Sequence, residues 1–204
     1  MLKPVLTLAA AIAFIIVPLH APAAPSSGKD IVVQVEKDGS AYVVTAELTV
    51  AATLDETWQV LVDFDKMAQI LSNVDASKVV KADGNKLEVT QKSHGQAGPL
   101  RISLDSTRQI ELTPKREIQS HLIKGDLKSS DFTTTVSEAG SVTKISVRGK
   151  FVAGGLAASA LTPEAVEGGT RRQYQELRDE ILRRKSNEPT PPCLLAKNCA
   201  PGPG

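Results

Sequence analysis

The sequence is poor in the residues on which most site chemistry depends. Aromatic side chains make up only 3% of its 204 residues, so platforms for stacking bases or sugars are scarce. Three histidines and two cysteines leave little material for a metal centre or a redox dyad. Neither sign of charge dominates: Lys+Arg 24 against Asp+Glu 23 lacks the basic footprint of a nucleic-acid-binding domain. No apolar run reaches the ~20 residues of a membrane-spanning helix. A P-loop, a dinucleotide fingerprint and a Gly-x-Ser-x-Gly elbow are all missing, so no catalytic set and no cofactor is indicated. The remainder, 41% hydrophobic and 23% charged, suits a globular chain with one core.

Both ends read as non-globular. Lys3 precedes an apolar run from Val5 to Val17 broken only by Thr7, and Ala21-Pro22-Ala23 supplies the small residues of a cleavage site. The expectation is a signal peptide over 1–23, cut after Ala23, and export to a bacterial periplasm. Without Lys3 the mature chain is formally neutral. A linker spans 24–30, and a Pro/Cys-rich disordered tail spans 187–204. In an oxidising compartment, Cys193 and Cys199 are expected to close a small disulfide loop. A zinc site there lacks further ligands, and the spacing is not Cys-x-x-Cys.

Between the ends the dominant period is two. Tyr42, Val44, Ala46, Leu48 and Val50 share a face, and Asp38-Gly39 signals a hairpin with 31–36. The period then changes. Thr53 and Glu56 make a capping box, Trp58, Leu61 and Val62 form a short apolar stripe, and a second short helix is expected over 65–71. Six strands follow, over 77–82, 86–93, 100–112, 116–124, 128–136 and 142–152. Thr162 then caps a helix with Pro163 at its first position. Val166, Thr170, Tyr174, Leu177 and Ile181 form its stripe, and Asp179–Arg183 and Glu180–Arg184 are candidate ion pairs.

This order, with residues 47–80 (ELTVAATLDETWQVLVDFDKMAQILSNVDASKVV), Gly125–Lys128 (GDLK) and the terminal helix, resembles the START-like superfamily. Within it the chain is similar to the polyketide cyclase/dehydrase and coenzyme Q-binding branch. The resemblance covers about residues 31–185. It implies an α+β helix-grip fold over 31–186: a curved antiparallel sheet wrapped around a long C-terminal helix, with two short helices after the second strand. It also implies a cavity for a hydrophobic ligand. Relatives often carry a proline and an aromatic where this chain has Leu71-Ser72, and a tryptophan at Phe132, so the ligand stays open.

Alternation nominates the polar residues of such a cavity. In 100–112 the even positions are apolar except Ser106 and Arg108. Arg108 either orients a ligand head group from inside or, the reading that long bent strands favour, lies in water beyond a β-bulge. Gln91 shares an inward face with Leu87 and Val89. Trp58, Phe132 and Phe151 are wall candidates. His94 and His121 fall on outward positions, and Asp126 reads as turn chemistry. The nearly uncharged connection to the last helix holds Gly154, Gly155, Leu156 and Leu161. It reads either as a gate that touches a membrane during ligand entry or as small residues packed on the sheet edge.

The leading expectation is a non-enzymatic carrier of an apolar small molecule, lipid or quinone-like. A cyclase/aromatase-type enzyme and an envelope interaction module without a cavity are the alternatives. An inward histidine or aspartate would favour the enzyme.

Overall fold

A computed structural model describes residues 31–97, 100–155 and 157–187. The expected signal peptide and its cut after Ala23, the linker, Leu156, and the Cys193–Cys199 pair lie outside the described residues.

Eight strands build one antiparallel sheet. β1 (Val32–Asp38) and β2 (Ala41–Val50) turn at Gly39, whose φ of 61 suits glycine. β3 (Val74–Asp83), β4 (Lys86–Ala97), β5 (Leu100–Thr113), β6 (Glu117–Gly125), β7 (Ser129–Ala139) and β8 (Val142–Val152) form a meander. The order is β1-β2-β8-β7-β6-β5-β4-β3, so β8 pairs with β2 and the excursion after β2 carries the chain to the far edge.

That excursion is helical for local reasons. α1 (Leu54–Leu61) has the expected reciprocal cap: Glu56 N donates to Thr53 Oγ1 at 3.2 Å, and Thr53 N donates to Glu56 Oε2 at 2.6 Å. Its buried residues are Thr57, Val60 and Leu61, so the inward stripe is rotated from the one expected and Trp58 is only half-buried. A tight turn over Phe64–Lys66 leads into α2 (Met67–Ile70). α3 (Ala157–Ala160), which the pattern did not announce, precedes α4 (Pro163–Asn187). Thr162 Oγ1 accepts from Ala165 N at 3.3 Å, as an N-cap should.

The core sits where the C-terminal half of α4 meets β1, β2 and α1. Ile181, Val60 and Ile145 are fully buried there, with Tyr174 and Leu177 close behind. Each such side chain contributes roughly 1.5–3 kcal/mol. Glu180 reinforces this end, accepting from Arg183 Nε at 2.7 Å and Arg184 Nε at 2.6 Å. Arg184 also reaches Asp63 at 2.9 Å, tying α4 to the end of α1. The expected Asp179–Arg183 pair does not form, because Arg183 turns to Glu180 and Asp179 accepts from Gln175.

The bonded Arg183 guanidinium, with Arg184, holds the Glu180 carboxyl at about 2, below its ordinary value of 4.5. A depressed acid stabilises the fold above its unfolded pKa and loses that contribution as pH falls through the folded one. Glu180→Gln is therefore expected to cost about 1 kcal/mol at neutral pH, after solvent screening. The difference from wild type should shrink as pH falls from about 4.5 to about 2, read by urea denaturation across pH.

Candidate functional site

α4 buries Tyr174, Leu177 and Ile181 but covers the inner faces of β4 to β7 only in part. A cavity of about 630 Å³ lies between them and α4. Val89, Ile110, Ile118, Phe132 and Leu177 supply apolar walls, and Thr170 and Tyr174 face it from α4. Phe132 owes its position to Gly149, its partner across β7 and β8: the ring lies where a Cβ on residue 149 would stand.

A polar strip crosses this apolar floor. Gln91 on β4 stands opposite Ser106 on β5. Gln91 Nε2 donates to Ser77 Oγ at 3.2 Å. Two residues on, the Arg108 guanidinium donates to Ser120 Oγ at 3.0 Å and to Ser130 Oγ at 2.9 Å. Ser130 is itself buried. Burial pushes the Arg108 guanidinium below the usual arginine range, opposed by the Asp131 charge. Arg108 thus lies inside, which corrects the reading that a bulge turns it to water. A bulge exists, but the extra residue is Ile123 on β6; β5 keeps unbroken register with β4 through Arg108. Exposed Ile123 marks the irregularity.

Of the other residues nominated from sequence, Gln91, Ser106, Phe132, Phe151 and Leu161 line the cavity. Trp58 does not; it packs against the core from α1. Phe151 stacks on Tyr42 at 5.1 Å between ring centres. Tyr42 Oη donates to the Leu161 carbonyl at 2.7 Å, fixing one end of the connection to α4. The other end is fixed as well. Gly154 is buried, and a Cβ there would collide with the Asp126 carbonyl oxygen, so it is a close-packing position and not a flexible one. Gly155, at φ 50, is the exposed turn between them.

His94 departs from expectation. Only 16% of its side chain is exposed, it borders the cavity, and its Nδ1 lies 3.1 Å from Asp75 Oδ2. Arg101 Nη2 donates to Asp75 Oδ1 at 2.8 Å and closes the cluster. The β3 irregularity between Val74 and Ala76 places Asp75 there, a feature with no sequence signal. His121 is exposed beside Asp131, as alternation predicts. Asp126 does act in a turn: its Oδ2 accepts from Asp105 N at 2.7 Å, and its own N donates to Asp105 O at 3.0 Å. Ser120, Ser130 and Tyr174 are among the lining residues that the sequence pattern does not single out as binding groups. The alternation Ser130-Phe132-Thr134-Val136 carried that signal for Ser130.

A curved antiparallel sheet gripping a terminal helix, with a cavity between them, is the helix-grip fold of START-like proteins. The family model described as polyketide cyclase/dehydrase and lipid transport matches residues 42–181, and the chain belongs to that family. Solved structures agree on the fold. A STAR-related lipid transfer protein from Xanthomonas axonopodis is 15% identical with a TM-score of 0.59, covering 74% of this chain and 98% of that one. The Zhui aromatase/cyclase from Streptomyces sp. R1128 is 20% identical with a TM-score of 0.59, covering 71% and 96%. A START superfamily protein from Mycobacterium smegmatis is 13% identical with a TM-score of 0.53, covering 70% and 95%. No curated protein sequence matches this chain.

Proposed function

We propose that this protein is an exported, non-enzymatic binding protein that takes up an apolar small molecule, a lipid or quinone-like compound. The observation that carries this reading is the cavity of about 630 Å³, apolar on most of its wall, within the size range of small-molecule sites. Membership of a family described by lipid transport supports it. The neutral dye Nile red is expected to bind with enhanced fluorescence. Thr170→Phe, which places a ring in the cavity, should weaken that binding about tenfold through overfilling that typically costs ~1–3 kcal/mol. Absence of dye uptake by the wild type contradicts the reading.

Uptake is proposed to occur at a membrane surface, beside the connection that ends at Leu161. Flotation with liposomes tests this: Leu161→Asp should lose the bound fraction, and a wild type that never floats overturns it. Export rests on the Val5–Val17 run and Ala21-Pro22-Ala23. Intact mass of protein recovered from a bacterial periplasm should correspond to a chain starting at Ala24, and a retained Met1 contradicts it.

A cyclase-type enzyme is the second reading, favoured by one observation. His94 borders the cavity with its Nδ1 3.1 Å from Asp75 Oδ2 and 2.9 Å from Arg101 Nη2, so an imidazole held between an anion and a cation stands beside the space a substrate would fill.

A further inference from the structure

Arg108 sits where a cation needs a partner. Removing a guanidinium from water costs several kcal/mol unless an anion joins it. Yet among the described residues no carboxylate forms an ion pair with Arg108, and its two bonded neighbours are neutral hydroxyls. Asp131 is the nearest charge felt, but it belongs to the exposed pair with His121. Two serine acceptors leave most of the five guanidinium donors unused.

Tyr174 adds a second donor. It is 9% exposed, lines the same cavity, and its hydroxyl has no hydrogen-bond partner among the described residues. Burial raises its pKa, so the phenol stays protonated and can donate. The lining carboxylates do not neutralise these groups. Asp105 and Glu164 are exposed at the rim. Glu176 is engaged by Ser72, accepting from its N at 2.9 Å and its Oγ at 2.5 Å. The interior therefore offers a positive charge and hydrogen-bond donors inside apolar walls.

We propose that the ligand is a single-chain apolar acid, bound with its carboxylate on Arg108 and its hydrocarbon along the walls between the sheet and α4. This deepens the binding reading above and rests on it. The planar guanidinium fork matches a planar carboxylate, and one cation balances one negative charge. Size agrees: at ~30 Å³ per water-sized group, the cavity has room for on the order of twenty non-hydrogen atoms, enough for one long chain. A neutral quinone or alcohol leaves this half-buried charge without an anion.

Displacement of Nile red by palmitic acid and by hexadecanol, which share a chain and differ in the head group, tests this at neutral pH. The wild type should release dye at a palmitate concentration about ten- to a hundred-fold below that of the alcohol, the usual worth of a charge-assisted bond. Arg108→Met should abolish that preference while hexadecanol still displaces the dye. Arg108→Gln, able to keep hydrogen bonds to the serines, replaces it if circular dichroism finds the methionine variant unfolded. Equal displacement by acid and alcohol, a preference that survives loss of the charge, or stronger displacement by hexadecyl phosphate overturns the carboxylate assignment. Those results leave dye binding intact, whereas a wild type that takes up no dye removes the cavity reading itself.

Discussion

The packing of α4 across only part of the sheet governs the rest of the molecule. Tyr174, Leu177 and Ile181 fall on one side of the helix and are its buried residues, while α4 as a whole packs on β1, β2 and α1. Glu180 and Arg184 brace its C-terminal end, with Arg184 reaching across to Asp63. Toward the N-terminus of the helix the inward positions are Val166 and Thr170, which are only half-buried and border open space. The sheet is wider than the helix can cover, so the inner faces of β4 to β7, though partly packed through Val89, Ile110, Ile118 and Val136, also border a cavity. A longer apolar stripe on α4 would have closed it.

The cavity floor extends the same logic into electrostatics. In a packed core, Arg108, Ser106 and Gln91 would be costly on inward strand positions. Their presence is intelligible where the space above them is open. Ser120 and Ser130 then satisfy part of Arg108 from neighbouring strands without removing its charge. Gly149 admits the Phe132 ring beside this strip, and Tyr42 holds both Phe151 and the Leu161 carbonyl. Polar anchoring and apolar wall are thus set by alternating residues of the same strands.

Much of the scaffold was legible because local rules and tertiary structure agree. The Thr53–Glu56 box, the Thr162-Pro163 start, the Gly39 hairpin and the period-two strands each have a short-range cause. The site was legible only in part. Alternation placed Gln91, Ser106 and Phe132 on the inner face, but it could not decide Arg108, because the bulge lies at Ile123 on the adjacent strand. Parity puts His94 on the surface, but Asp75 and Arg101, brought there by strand pairing, cover it. The stripe pattern puts Trp58 on the wall, but Thr57, fully buried despite its hydroxyl, shifts the phase of a helix only two turns long. Those errors share a cause: each depends on a neighbouring strand or helix that the local pattern does not contain.

The central claim is that the cavity is a binding site whose polar anchor is Arg108. Native mass spectrometry of the protein purified from its own host, with organic extracts of the same sample run alongside, tests it most directly. The account predicts one stoichiometric adduct whose extracted mass is that of a single-chain acid, absent from the Arg108→Gln protein. A bare wild-type protein that also takes up no apolar dye, or an adduct that is neutral and indifferent to Arg108, would contradict it.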